Sequence, residues 1–344
     1  IRPMKITKTL LAVTAAATLV VGAAAQTLQI NGAGATFPAP IYTKWFSEYN
    51  KLHGNVQINY QPLGSGAGIR QLTNQTVFFG ASDGPMNNDQ MTAAPGKVLH
   101  IPTVLGAVVP VYNIPGAKAD LKFTGPVLAD IFLGKITKWN DPALTKLNPG
   151  VTLPGTDITV VHRSDASGTT YIWADYLAKI SPEWKMKVGV NTGVNWPTGV
   201  GGKGSEGVTG VVTQTPGSIS YVELVYALQN KISYGSVQNA EGEFIRATIQ
   251  AVTAAAGAAV KNMPKDFRVS ITNAPGKGVY PISSFTWILL YENPKDKAQS
   301  KVMVDFMKWA LTDGQKFAND LGYAPLPAEV VKLEMDALAT IKVS

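Results

Sequence analysis

Apolar and polar residues alternate along this chain with two different periods. Residues 56–60 alternate one by one, and residues 158–161 and 285–291 are rich in β-branched or aromatic residues, so these three segments predict strands. Apolar residues elsewhere recur every three or four positions, which predicts helices with a buried face. The helical stripes are Ile41, Trp45, Tyr49 and Leu52; Ile172, Tyr176 and Ile180; and Val302, Phe306, Trp309 and Ala310. Strands that alternate with helices predict an α/β fold, with mainly parallel sheets and helices on both faces.

The amino terminus has the pattern of a cleaved secretory signal. Lys5 and Lys8 follow Met4, which we take as the true start, and an apolar run then ends in the small residues Ala23 to Ala25. A membrane anchor is the alternative, but the run is shorter than the about 20 apolar residues that span a bilayer. We therefore expect residues 1–25 to be a signal peptide and the rest to be exported.

Composition narrows the class of protein further. The chain has no cysteine, which excludes disulfides and a lipid-modified cysteine, so a periplasmic protein without a lipid anchor is expected. The net charge is +7, but only 15% of the residues are charged and no dense Lys/Arg run occurs. Nucleic-acid-binding proteins cluster basic residues on one face, so we expect no nucleic-acid partner.

Four polar, glycine-rich segments lie where a strand is expected to lead into a helix or turn. They are 32–40, 64–68, 80–85 and 162–170. Helix N-termini expose backbone N–H groups without partners, glycine allows close approach, and Ser/Thr hydroxyls add donors. A tetrahedral oxyanion is the ligand that such junctions bind best.

Three charged residues refine that hypothesis. Arg163 offers a planar fork of donors to an oxyanion, and Asp165 is placed to orient it. Asp83 would repel an anion unless the ligand carries a proton to donate, as phosphate does at neutral pH and sulfate does not. Asp83 is therefore the predicted selectivity element, and phosphate is the predicted ligand.

Each residue also has a simpler interpretation. Ser65 and Ser167 could be plain helix N-caps, Asp83 a turn residue, and Arg163 with Asp165 a surface ion pair. Other motifs fail on spacing: the second segment lacks the last glycine of a dinucleotide fingerprint, and the three histidines are scattered. We therefore expect no metal and no cofactor, and a Ser-His-Asp hydrolase site around His162 is disfavoured.

Several segments resemble the substrate-binding protein of the high-affinity phosphate ABC transporter. The most specific are GAGATFPAPIYTKW at 32–45, YQPLGSGAGIRQL at 60–72, FGASDGPM at 79–86 and RSDASGTTY at 163–171, joined by FLGKITKWND at 132–141, GVGGKGSEGV at 199–208 and PGSISYVE at 216–223. The resemblance covers nearly all of the chain after the signal. It implies a two-lobed, type II venus-flytrap binding protein that closes on one phosphate between its lobes.

The resemblance also implies a set of phosphate ligands. They are Thr36, Phe37 through its backbone N–H, Ser65, Asp83, Arg163, Ser167, Gly168 and Thr169, with Asp165 behind Arg163. Two positions depart from the family: His162 stands where relatives often have a second arginine, and Gly66 where a second serine is common. By the same analogy, lobe I is 26–103 with 280–344, and lobe II is 104–279.

The resulting expectation is a periplasmic, non-catalytic and monomeric protein. It binds inorganic phosphate and delivers it to an inner-membrane phosphate ABC permease. The alternatives are an exported phosphatase, a binding protein for another tetrahedral oxyanion, and a surface adhesion or scavenging protein. The phosphatase would need a nucleophile or metals that the sequence does not supply.

Overall fold

The computed structural model describes residues 27–116 and 120–344, so the expected signal peptide lies outside the described residues. Within them, strands and helices are interspersed from the first strand to the last helix. The strands are β1 (Leu28–Gly34), β2 (Val56–Gln61), β3 (Phe79–Ser82), β4 (Val98–Asn113), β5 (Lys122–Phe123), β6 (Thr159–Arg163), β7 (Val200–Gly202), β8 (Ser218–Glu223), β9 (Ser233–Tyr234), β10 (Ser236–Gln238), β11 (Phe244–Ile245) and β12 (Ser283–Tyr291).

The helices occupy the connections between these strands and the carboxyl-terminal end. They are α1 (Ala39–Leu52), α2 (Ser65–Thr73), α3 (Asn88–Ala93), α4 (Gly125–Phe132), α5 (Pro142–Leu147), α6 (Gly168–Ile180), α7 (Pro182–Lys187), α8 (Gly204–Gln214), α9 (Leu224–Gln229), α10 (Ile249–Val260), α11 (Lys297–Leu311) and α12 (Ala328–Leu338), with 3-10 turns at Asp313–Phe317 and Asn319–Leu321. In the part of the chain that the structure describes, no helix combines the length and the apolar run needed to cross a bilayer. The predicted α/β class is confirmed.

One large sheet organises the molecule. Its strand order is β2-β1-β3-β12-β4-β8-β6-β7, and β9 adds to β4. The flanking strands pair in parallel, as predicted: β1 with β2 and β3, and β6 with β7 and β8. The central strands β12 and β4 add antiparallel pairs, so the sheet as a whole is mixed.

The long strand β4 links the two ends of this sheet. Residues 98–107 pair with β12, whereas residues 108–113 pair with β8. The change of partner lies a few residues from the predicted crossing between lobes at 103/104. The lobe boundaries themselves stay a prediction.

The predicted helical stripes form much of the core. In α1, Trp45 and Tyr49 are buried, and Tyr42 and Phe46 pack with Tyr60 in an aromatic cluster. The interpretation of Leu52 was wrong, because this last residue of α1 is 64% exposed.

Parallel pairing brings the functional loops to common edges. Since β1 pairs in parallel with β2 and β3, the loops after these three strands leave the sheet on the same side. Since β6 pairs in parallel with β7, the segment after Arg163 and the start of α8 are also neighbours. The sheet therefore gathers segments that are far apart in the sequence.

Candidate functional site

The four segments singled out in the sequence meet in one buried site. The Thr36 hydroxyl accepts a hydrogen bond from Arg163 Nη1 at 3.1 Å, across 127 positions of sequence. The Ser65 hydroxyl accepts from the backbone N–H of Asp83 at 3.1 Å. A carbon added at Gly168 would lie 2.6 Å from Asp83 Oδ2 and against the Ser65 hydroxyl, so the backbone of the fourth segment touches the second and third.

Two helix N-termini point into this site. Helix α2 begins at Ser65, and α6 begins at Gly168 after its cap Ser167, whose hydroxyl accepts from the Thr170 N–H at 3.1 Å. Ser167 is therefore an N-cap, while Ser65 makes no side-chain cap of its own helix. The N–H groups of the first helical residues, including Gly168 and Thr169, have no acceptor within the helix and are available to an anion.

Thr169 adds a side-chain donor at the N-terminus of α6. Phe37 is buried in the loop between β1 and α1. The Thr169 hydroxyl is buried and has no hydrogen-bond partner among the residues that the structure describes. The Phe37 ring is fully buried, and its carbonyl accepts from the Tyr323 hydroxyl at 2.6 Å. Because that bond holds the peptide after Phe37, the loop between β1 and α1 is fixed against the sheet.

Arg163 is the buried positive charge of the site. Its guanidinium donates from Nε to Asp165 Oδ1 at 2.7 Å and from Nη2 to Asp165 Oδ2 at 2.5 Å. The alternative of a surface ion pair is wrong, since the Arg163 side chain is 2% exposed. Burial alone would raise the pKa of Asp165, but the hydrogen bonds and charge of Arg163 outweigh it and lower that pKa. Asp165 stays ionised and holds the guanidinium plane in one orientation.

Asp83 places a buried carboxyl group beside the hydroxyl, N–H and guanidinium groups of the site. Its Oδ1 accepts from the Thr286 hydroxyl at 2.8 Å, and its Oδ2 is buried without a hydrogen-bond partner in the described parts of the chain. Burial raises the pKa of Asp83 to about 7, against the smaller opposing effects of Thr286, Arg163 and Ser65. A carboxyl group in this setting exchanges a proton near neutral pH and can share one with a ligand.

Sequence reasoning missed two residues of this site. Ser205 lies at the start of α8, with its hydroxyl 2.8 Å from that of Thr36. The signal was present, because Gly204 and Ser205 follow β7 and open a helix, as in the other segments. Thr286 lies inside β12 and has no local signal; only the strand register, which pairs Trp287 with Ser82, brings it beside Asp83.

The two departures from the family pattern also have structural explanations. His162 stacks on Trp196, with ring centroids 4.8 Å apart, and burial lowers its pKa, so it adds no charge beside Arg163 at neutral pH. Its Nδ1 lies 3.1 Å from the Arg163 carbonyl, and the ring is engaged with Trp196 rather than with a nucleophile. At Gly66 an added side chain would run into Ala166, whose carbonyl accepts the Gly66 N–H at 2.9 Å.

The acidic and histidine side chains do not form a metal centre. Within residues 27–116 and 120–344, no group of three His, Cys, Asp or Glu side chains is placed to hold a metal ion. Asp83 and Asp165 instead contact hydroxyl, amide and guanidinium donors. Their surroundings suit an anion that brings at least one proton.

The fold and the site define a binding protein of the PBP superfamily, and a family described as "PBP superfamily domain" matches residues 20–314. A Xylella fastidiosa protein named Phosphate-binding protein PstS is 50% identical over 308 residues, which cover 89% of this chain and 84% of that protein. The protein of the same name from Methanocaldococcus jannaschii is 40% identical over 340 residues, covering 92% and 87%. This chain therefore belongs to the PstS family of phosphate-binding proteins.

Solved structures agree on the fold. The high-affinity periplasmic phosphate-binding protein PfluDING, solved with phosphate, superposes with a TM-score of 0.70 at 22% identity, covering 91% of this chain and 93% of that one. An ABC-type phosphate transport receptor from Vibrio cholerae gives a TM-score of 0.57 at 18% identity, covering 87% and 100%. The predicted type II binding-protein fold is thereby confirmed.

Proposed function

We propose that this protein binds inorganic phosphate in the buried site and passes it unchanged to an ABC importer. The proposed ligands are the backbone N–H groups of Phe37, Gly168 and Thr169 and the side chains of Thr36, Ser65, Asp83, Arg163, Ser167 and Thr169. The family membership supports this function, and its relatives carry the name phosphate-binding protein. The contacts of Arg163 with Thr36, of Asp83 with Ser65 and of Gly168 with both Ser65 and Asp83 support these residues as the ligands.

One observation carries the choice of phosphate. Asp83 Oδ2 is a buried oxygen beside the backbone of Gly168, and it has no hydrogen-bond partner within residues 27–116 and 120–344. A fully ionised tetrahedral anion such as sulfate would leave this carboxylate unpaired and repelled, which costs about 1–3 kcal/mol or more for a charged group. Phosphate carries a proton at neutral pH and can donate it to this oxygen.

Burial favours binding over catalysis. Thr36, Ser65 and Asp83 are at most 1% exposed, and Arg163 is 3% exposed. A phosphate ester would have to accommodate its organic group in the same enclosed space. We infer that the site selects the free anion and that the protein is not a phosphatase; incubation with a chromogenic phosphoester should release no phosphate.

The compartment and the partner follow from the same proposal. An importer's receptor must meet its ligand outside the cytoplasmic membrane, which agrees with the secretory signal expected in residues 1–25. We infer a periplasmic protein that docks on a phosphate ABC permease. Deletion of the gene should abolish high-affinity phosphate uptake, and uptake that survives deletion would contradict this role.

Titration calorimetry tests the function directly. At pH 8 the protein should bind one phosphate per chain and should bind sulfate far more weakly than phosphate. Arg163→Ala should weaken binding at least about thirtyfold, because charge-assisted bonds in a desolvated site contribute about 2–5 kcal/mol. Arg246→Ala is the matched control, since Arg246 lies over the Tyr234 ring and pairs with Asp120. Heat with sulfate or molybdate but none with phosphate would refute the assignment.

A further inference from the structure

Ser205 has a buried hydroxyl that forms its hydrogen bonds with residues outside its own helix. It is the second residue of α8 and is 1% exposed. The residue at the N-cap position of α8 is Lys203, and its own side chain makes no capping hydrogen bond. The Ser205 hydroxyl instead lies 2.8 Å from the Thr36 hydroxyl and accepts from Arg163 Nη1 at 3.4 Å.

These contacts connect opposite ends of the sheet. Thr36 follows β1, near one end of the strand order, and Ser205 follows β7, at the other. The neighbouring Gly204 N–H donates to Asp165 Oδ1 at 3.0 Å, so the start of α8 also touches the residue that orients Arg163. Ser205 therefore lies where the loop after β1 meets the arginine.

The directions of the hydrogen bonds around Thr36 determine whether Ser205 donates or accepts. Arg163 Nη1 is a donor only, so the Thr36 oxygen must accept from it. Each hydroxyl has one proton, and only one of the two can donate to the other. If the Thr36 proton is directed to a bound anion, the bond between the hydroxyls must run from Ser205 to Thr36.

We propose that Ser205 is a positioning residue for anion binding, which donates to Thr36 and thereby commits the Thr36 hydroxyl to donate to the ligand. This inference rests on the proposed function, with Thr36 as a phosphate ligand. A hydroxyl chain polarised from Ser205 through Thr36 strengthens the final bond to the anion. The Tyr226 hydroxyl also donates to the Thr36 carbonyl, at 2.5 Å, so the loop remains in place when Ser205 is changed.

The first test is the kinetics of phosphate release. Ser205→Ala should raise the Kd for phosphate about tenfold, the effect of one lost buried hydrogen bond, mainly through a faster koff. Ser205→Cys replaces the hydroxyl with a somewhat larger thiol that is only a weak donor, and it should change Kd in the same direction. Thr209→Val is the matched control, because Thr209 lies one turn further along α8 with a buried hydroxyl that bonds no described residue.

A double-mutant cycle shows whether Ser205 affects phosphate binding through the Thr36 hydroxyl. In a Thr36→Val background, Ser205→Ala should change Kd less than twofold, because the hydroxyl that Ser205 positions is gone. If Ser205 only stabilised the fold, Ser205→Ala would lower the urea unfolding midpoint of the ligand-free protein. It would then change Kd by the same factor with Thr36 and with Val at position 36. Equal effects in both backgrounds, or an unchanged Kd in Ser205→Ala, would overturn the inference. Absence of phosphate binding by the wild type would overturn the proposed function itself.

Discussion

Asp83 gives the site a pH dependence that is specific to unprotonated anions. Burial raises the pKa of Asp83 to about 7, so this group changes charge within a range that is simple to study. The ionised form has an Oδ2 without a hydrogen-bond partner among the described residues, and in the proposed site this oxygen would repel sulfate. The neutral form carries a proton and can donate it to sulfate. Sulfate should therefore bind better as the pH falls, although sulfate itself does not titrate in this range.

The size of the effect follows from the fraction of neutral Asp83. With a pKa of about 7, about one-tenth of the molecules carry neutral Asp83 at pH 8 and about nine-tenths at pH 6. If only the neutral form accommodates sulfate, its apparent affinity should rise about tenfold between these values. Asp83→Asn places a permanent neutral donor at this position, so its sulfate affinity should be high and should not vary with pH.

Direct titration of sulfate by calorimetry at pH 6, 7 and 8 measures this dependence. The Asp83→Asn variant also separates the effect of Asp83 from that of other titratable groups, because His162 and the buried Glu223 remain in it. Glu223 has a pKa raised well above its usual value by burial, with a further contribution from the charge of Asp83. A sulfate affinity of the wild type that is flat with pH, or a variant that rejects sulfate as strongly as the wild type, would refute the reasoning.

Three further changes test other parts of the structure. Gly168→Ala should weaken phosphate binding on the order of a hundredfold in calorimetry, because the added carbon would lie 2.6 Å from Asp83 Oδ2. Gly210→Ala, where the added carbon meets nothing within 4 Å, should leave it unchanged. Thr286→Val removes the hydroxyl that donates to Asp83 Oδ1, so the midpoint of the sulfate pH profile should move upward and phosphate affinity should fall about tenfold; an unmoved midpoint would contradict this. Burial raises the pKa of Glu334 well above its usual value, so the folded protein holds a proton that the unfolded chain releases, and this contribution to stability is lost as pH rises. In urea unfolding, Glu334→Gln should therefore lose less stability than the wild type between pH 5 and pH 9, and an equal loss would contradict the assignment.

The local part of the site could be predicted from the sequence because its signals are local. Glycine, serine and threonine between a strand and a helix identify a helix N-terminus that can receive an anion, and the structure places Ser65, Ser167 and Gly168 at such points. Arg163 and Asp165 are two residues apart and pair as predicted. Each of these features depends on a few consecutive residues, so no knowledge of the strand order is needed to see it.

What the sequence could not reveal depends on pairing between distant segments. Two antiparallel strands, β12 and β4, form the centre of the sheet, and no periodicity in either strand indicates which neighbour it takes. Ser205 carried a recognisable pattern but no indication that its hydroxyl would reach Thr36, 169 positions earlier. Leu52 fits the apolar stripe of α1 and is nevertheless exposed, because a stripe does not show where the covering sheet ends.

Asp83 shows how both kinds of information combine in one residue. Its segment indicates either a turn residue or a selective acceptor, and the sequence alone leaves both open. The antiparallel register pairs Trp287 with Ser82, and an irregularity in the pairing of β12 with β4 lies between Thr286 and Trp287. Bulges of this kind redirect side chains, and here Thr286 donates to Oδ1 of Asp83. Because Oδ1 is engaged and the carboxyl group is buried, Oδ2 is the oxygen that the proposed phosphate would contact. The proposed preference for a protonated anion therefore depends on a strand some two hundred residues away in the sequence.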